Sequence, residues 1–579
     1  MRAVALLSSR FRSEWVTSAL LAGALAAGLA QVAPCEAAAP LMATAAAPSG
    51  GSRVTELIAA AGSPEDFGTF HGVRYQRTFG IAHGTIDPRE DVAVQPGPPL
   101  PGEYAVEFEI IAPADGERPS HTVLVEVENR GGPVFFWSLD GYSGVTPIGT
   151  PPSRIVYPPD GGNGFLFDHG VSYARIQWQT DFAPAVPPNA QGVGEIVLRD
   201  FGRMLRGIDR PLGPPLAPWF TRAILLGASQ SAWFVNAFVA EGFNVNPTAE
   251  TRPPGTLLFR RRPPAGSIAP FRIVGAGSAG ASDAGDRRVY DAAITIDGAG
   301  NWLAINQLNA ANGDPPETPY LQPDGVPLLY DEILTRPDTD PFLVDVVAYT
   351  DYYRVRASVT ARSPIPAGVR RYDIPSAHAP GKLASLATVT GILGCNQWLA
   401  QDGPPQPLLP IVALNPLDPY PFARAILLGT LRAIDAPALP VDAPILPASV
   451  RFTLGGPIPA QPYFNPLTGV GLEVPAIDAS TQPVGGVRFP EVDLPLGRLS
   501  PVAIPHVGTL SINDTCGNFG GYEPFSASEI AARYPGGRSE YLTRYADRVD
   551  ALIAQGFVIP ADKPVLLDDA ASEWSSATE

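Results

Sequence analysis

The sequence predicts an α/β fold built on a mostly parallel sheet. Three observations carry this. Short apolar runs of strand length recur between residues 104 and 374. Helical periodicity or long connections separate them. One tight strand–turn–helix unit stands at 222–243. Strands alternating with helices are the layout of a sheet covered on both faces.

The elements follow in order. Residues 49–101 are mixed and loop-rich. Residues 104–111 (YAVEFEII) alternate like an exposed strand, and 122–128 (TVLVEVE) form a second strand that ends in Asn129, Arg130, Gly131 and Gly132. Residues 171–178 (VSYARIQW) are a third. In 194–206, Ile196, Val197, Phe201, Met204 and Leu205 recur at helical spacing. Residues 222–226 (RAILL) are a short buried strand, and 231–243 a helix. Further strands are expected at 292–296, 342–348 and 370–374. The stretch 246–286 reads as an insertion rich in Pro, Gly and Arg. Residues 403–497 are Pro-rich with few regular periods, and 526–555 are helical again. The expected organisation is a segment at 1–45, a core at 46–400 with the insertion near 246–286, and an extension or cap at 401–579.

Composition bounds the alternatives. The 579 residues include 66 Pro and 58 Gly, about 21% together, just under the level that suggests disorder. Hydrophobic residues make up 45%, enough for packed cores, so the chain is globular with many loops. Pro at this density excludes helical bundles and coiled coils. The net charge of −17 repels phosphate, so no nucleic-acid partner is expected. No CxxC, HExxH or GxxxxGK[ST] spacing occurs, and no metal or cofactor is expected. A GxGxxG form at 275–280 lacks a surrounding βαβ unit and is set aside.

Arg2, Arg10 and Arg12 precede an apolar run at 16–33, followed by small residues at 37–39 and 43–45. This is the layout of a secretory signal, with a single membrane anchor as the alternative. Export to the periplasm or medium is expected, with no membrane span after signal cleavage. Pro34 stands where a lipoprotein signal needs a small residue before Cys35. Cys395 and Cys516 then remain. An exported pair is a candidate disulfide, and two buried thiols are the other reading.

The sharpest local pattern is Gly227-Ala228-Ser229-Gln230-Ser231, directly after a strand and before a helix. Such a turn lifts a Ser hydroxyl above the sheet and aims helix N–H groups at it. A plain small-residue turn, with Ser229 or Ser231 as helix cap, is the bland alternative. A Ser nucleophile needs a base, and the chain order Ser, acid, His leaves His378 and His506 of the six His. His378 lies just past the strand at 370–374, where sites in such sheets gather. His506 lies in the Pro-rich extension without strand context, and His71, His83, His121 and His169 precede the elbow. The acid expected to orient His378 is Asp351, at the end of the 342–348 strand, with Asp297 after the 292–296 strand as the rival. Asp345 would point into packing, and Asp373 is too near on the same strand. Oxyanion donors are expected at the N–H of Gln230 and on the loop carrying Gly131.

Taken together these pieces resemble an exported bacterial family of alpha/beta-hydrolase-domain proteins regarded as serine esterases. The likeness extends to Glu126–Gly131, to Gly164-Phe165-Leu166, Gly170 and 177–181 (QWQTD), to Thr350-Asp351 and the His378 loop, and to 486–490 (GVRFP), 520–525 (GGYEPF) and Arg544-Tyr545. It covers most of the chain after about residue 50. Ser231 departs from the usual last Gly of the elbow, and Tyr349 from an expected Glu. The resemblance implies a Ser-His-Asp carboxylic ester hydrolase acting on a small-molecule ester, with oligomeric state open. Acyl transfer, or cleavage of lactone, amide or carbon–carbon bonds, uses the same triad. A catalytically inactive envelope binding protein is the reading from another class.

Overall fold

The computed structural model describes residues 51–87, 102–114, 122–129, 131–139, 164–178, 193–212, 219–245, 288–301, 327–354, 357–378, 413–434, 443–457, 473–500 and 520–578. The expected signal segment, the 246–286 insertion, the GxGxxG run, His121, His506, and both Cys395 and Cys516 lie outside the described residues.

The strands are β1 (Arg53–Ala59), β2 (Glu65–Phe70), β3 (Val73–Thr85), β4 (Glu103–Pro113), β5 (Thr122–Val127), β6 (Val171–Ile176), β7 (Arg222–Ala228), β8 (Ala292–Ile296), β9 (Phe342–Ala348) and β10 (Val369–Ile374). They form one sheet of order β1-β3-β4-β6-β5-β7-β8-β9-β10, with β2 also on β3. From β6 to β10 every pairing is parallel; from β1 to β6 through β4 every pairing is antiparallel. The chain returns past β5 to lay β7 on its other side. The carboxyl ends of β5 and β7 therefore flank a point where the order reverses, the place where such sheets leave a crevice.

Both faces of the parallel half are covered, which explains its near-continuous apolar strands. One face packs against helix α1 (Val193–Leu205) and helix α2 (Gln230–Ala240), through Ile196, Phe201, Phe234 and Phe238. The other packs against helix α3 (Tyr420–Ala433) and the C-terminal helices α4 (Ala527–Arg533), α5 (Gly537–Gln555) and α6 (Lys563–Thr578), through Phe422, Ile426, Leu552 and Trp574. Among the described residues no helix is long and apolar enough to cross a membrane.

The flanks depart from the sequence reading. Residues 53–85, expected to be loop-rich, hold three antiparallel strands. Residues 103–113 form an inner strand rather than an exposed one: β4 alternates in its first half and is buried throughout its second, between β3 and β6. The Pro-rich stretch contains α3, fourteen residues with Pro419 as its cap and Pro421 in its first turn, positions where the missing N–H costs nothing. Ten of its residues are buried.

Candidate active site

The turn after β7 has the elbow geometry. Ser229 adopts φ 55° and ψ −123°, in a region that L-residues with a side chain rarely enter. The close approach of strand and helix explains Gly227: a Cβ there would lie 2.4 Å from the backbone oxygen of Ser231. Ser231 accounts for its own departure from Gly. Its Oγ accepts the Ala228 N–H (2.9 Å) and donates to the Ala228 carbonyl (2.8 Å), closing the turn from within. The Ser229 N–H donates to the carbonyl of Ile296 on β8 (2.8 Å). Although Ser229 occupies the cap position of α2, its side chain makes no capping hydrogen bond.

Its Oγ lies instead 2.7 Å from Nε2 of His378, and Nδ1 of His378 lies 2.7 Å from Oδ1 of Asp351. The second Asp351 oxygen accepts the Ala348 N–H (2.9 Å). Ser229 is half-buried, His378 6% exposed and Asp351 wholly buried, so it is the Ser229 end of the chain of bonds that meets solvent. Two further bonds join the acid turn to the His loop. The His378 N–H donates to Thr350 Oγ1 (2.8 Å), and the Tyr349 N–H to the Ser376 carbonyl (3.0 Å).

The loop after β5 stands beside the elbow. Asn129 and Gly132 exchange backbone hydrogen bonds, and Gly131 between them has φ 80°, a conformation that favours Gly. The Asn129 amide donates to the Ala228 carbonyl (2.9 Å). Glu126, at the buried end of β5, holds the rest of the loop. Its Oε1 accepts the N–H groups of Val134 and Phe135 (2.6 Å each). Its Oε2 accepts that of Phe136 (3.0 Å) and the Tyr173 hydroxyl (2.9 Å). Burial pushes the Glu126 carboxyl up, although all four donors pull it down. Gln230 opens α2 with its side chain buried.

Sequence reasoning gave no role to Asn129 or Glu126. The signal for Glu126 was present: an ionisable residue inside an otherwise apolar buried strand. Trp178 is fully buried, donating Nε1 to the Glu128 carbonyl (2.7 Å) and lying against Phe234. It packs rather than lines a pocket, while Gln179 and Asp181 lie outside the described residues. Asp345 bonds Thr295 and Tyr330, and Asp373 bonds Arg371 and Tyr352, so both belong to the packing under the site. His71, His83 and His169 are all remote from Ser229 in the chain: His71 is on the β2–β3 turn, His83 within β3, and His169 at a helix end with Nδ1 on the Phe165 carbonyl.

The rival acid Asp297 is also at the site. One of its carboxylate oxygens, one of Asp351 and a nitrogen of His378 lie within 4.8 Å of one another. No other such grouping of His, Cys, Asp and Glu occurs among the described residues. Both imidazole nitrogens already have hydrogen-bond partners, which is the arrangement of a proton relay rather than of ligands around a cation. A cavity of about 50 Å³ adjoins His378, lined by Asp297, Ala228, Phe135, Ile374, Tyr420 and Phe422 among others.

A strained Ser at a strand–helix elbow, hydrogen-bonded to a His that is hydrogen-bonded to a buried Asp in the chain order Ser, Asp, His, defines a class of fold and site. The comparison with known families agrees on the fold. The family model described as "Alpha/beta hydrolase domain" matches residues 167–568, well over half of the chain, and the chain belongs to this family. No curated protein matches it. Similar solved structures include a glucuronoyl esterase from Solibacter usitatus, at 12% identity and TM-score 0.23, over 53% of this chain and 69% of that one. Another is a hyperthermophilic esterase from the archaeon Pyrobaculum calidifontis, at 10% identity and TM-score 0.20, over 46% of this chain and 72% of that one.

Proposed function

We propose that the protein is a serine hydrolase that cleaves carboxylic esters, with Ser229 as nucleophile, His378 as general base and acid, and Asp351 as the acid that orients the imidazole. The single observation that carries the reading is the pair of 2.7 Å contacts, Ser229 to Nε2 and Asp351 to Nδ1 of one imidazole.

In this reading His378 Nε2 takes the Ser229 proton as Oγ adds to the ester carbonyl. Asp351 fixes the tautomer with Nδ1 protonated and stabilises the imidazolium without accepting its proton. The N–H of Gln230 and the loop carrying Gly131 meet the oxyanion. The imidazolium gives its proton to the leaving alcohol. A water then takes the alcohol's place, loses a proton to Nε2 and adds to the acyl-enzyme; the adduct collapses as the bond to Oγ breaks and Nε2 returns the proton to Ser229, freeing the acid. The narrow, apolar cavity beside His378 favours a small acyl group. We infer export from residues 1–45, and a core at 46–400 extended by 401–579, on the sequence alone.

The test is labelling by a fluorophosphonate probe, with hydrolysis of short p-nitrophenyl esters. Wild type is labelled and Ser229→Ala is neither labelled nor active. An unlabelled wild type, or activity retained in Ser229→Ala, overturns the assignment.

A further inference from the structure

Two carboxylates face one imidazole, and they are held differently. Asp351 is wholly buried, with one oxygen on His378 and the other on the Ala348 N–H. Asp297 lines the cavity beside His378. Its backbone is clamped from both sides: the N–H donates to the Val346 carbonyl (2.8 Å), and the carbonyl accepts Trp233 Nε1 (3.3 Å). Its φ of 59° lies in the left-handed region, which Asp tolerates better than most residues. A carboxylate oxygen of Asp297 lies within 4.8 Å of both the Asp351 carboxylate and a His378 nitrogen.

Like charges this close repel, and burial sharpens the repulsion. A cation that forms on the imidazole is attracted by both carboxylates. That cation is the imidazolium that exists only after Ser229 has lost its proton. An interaction stronger in the transition state than in the resting enzyme raises kcat rather than affinity.

We propose that Asp297 is a second acid of the site, stabilising the His378 imidazolium alongside Asp351 and taking over part of its role when Asp351 is removed. The inference rests on the triad reading above. The two acids divide the work. Asp351 fixes the ring, and Asp297, at the end of the neighbouring strand, acts on its charge. The proton travels from Ser229 Oγ to His378 Nε2 and on to the leaving alcohol, and neither carboxylate takes it.

The test compares Asp297→Asn, Asp351→Ala and the double variant with Ser229→Ala, by kcat and KM on p-nitrophenyl acetate and by the rate of fluorophosphonate labelling. Asp297→Asn is expected to lower kcat about tenfold with KM unchanged, and Asp351→Ala to lower kcat about 10²–10³-fold while staying well above Ser229→Ala. The double variant is expected to fall to the Ser229→Ala level, a loss larger than the product of the single losses. A double variant no slower than Asp351→Ala overturns the proposal. So does a rise in KM at constant kcat in Asp297→Asn, which would make Asp297 a substrate contact. Should Asp351→Ala fail to fold, Asp297→Asn decides alone, because an unchanged kcat and labelling rate refute it. A wild type that the probe does not label refutes the serine-hydrolase reading itself, whereas a labelled wild type indifferent to Asp297 refutes only the second acid.

Discussion

Two of the sheet's buried polar clusters among the described residues, one in each half, are built on opposite terms. In the antiparallel half, Arg175 on β6 stands directly opposite Glu109 on β4 and bonds both Glu109 and Glu128, while Arg77 on β3 bonds Glu109 and Glu65. Most of these side chains project from regular strand positions, so the cross-strand register sets who meets whom. In the parallel half, Ser229, Asp297, Asp351 and His378 all sit beyond strand ends, two of them at positive φ. The first cluster pairs guanidinium with carboxylate, with Glu65 at its exposed edge. The second gathers carboxylates about an imidazole, with a cavity beside His378 and Asp297. Charge inside the ladder serves folding, and charge on the turns beyond it is left for a reactant.

Substitutions that strike one cluster and spare the other break this contrast open. The largest effect is expected for Ser229→Ala, which should lower kcat about 10⁶-fold while the urea midpoint stays where it is. Arg175→Met should do the reverse. It leaves Glu128 buried without its cation, costing ~3–5 kcal/mol of stability in urea unfolding, with kcat per folded molecule close to that of wild type.

Glu195 sharpens the contrast from a third side, as a buried acid with no ionic partner. Its Oε2 makes no hydrogen bond, and burial pushes its carboxyl up to about 8. The folded state therefore holds a proton that the unfolded state releases near pH 4.5. Stability falls as pH rises from there to about 8, by an amount on the order of 5 kcal/mol. Glu195→Gln should flatten that slope and be the more stable protein at pH 8, as read from Tm against pH. A loss smaller than that of Ser229→Ala is expected at Glu126, whose carboxylate organises the loop beside the elbow. Glu126→Gln places an NH2 among N–H donors and should cost about 10–100-fold in kcat, with Ser229 still labelled by the fluorophosphonate probe.

The parallel half was the more legible in sequence for the same reason that it holds the site. Most of its strands are buried on both faces and read as near-continuous apolar runs, so β8 and β9 fall on the expected residues. The elbow was legible because sterics leave few residues that fit, as the 2.4 Å approach at Gly227 shows. His378 and Asp351 followed from strand ends and chain order. The antiparallel flank was not legible. β3 (VRYQRTFGIAHGT) mixes Arg, Gln, His and two glycines among its apolar residues, and its buried Arg77 is tolerated only because Glu109 and Glu65 arrive from other strands. A local window does not contain those partners. The choice between Asp297 and Asp351 was posed as exclusive because one-dimensional order assigns one acid, whereas adjacent parallel strands bring two turns to the same edge.

The bonds from Thr350 to His378 and from Tyr349 to Ser376 have a mechanical consequence. They splice the acid turn and the His loop into one piece, so Asp351 and His378 travel together. Ser229 rides on a separate piece, anchored through Ile296 and clasped by Ser231. Those two pieces meet at one joint, the contact between Oγ and Nε2.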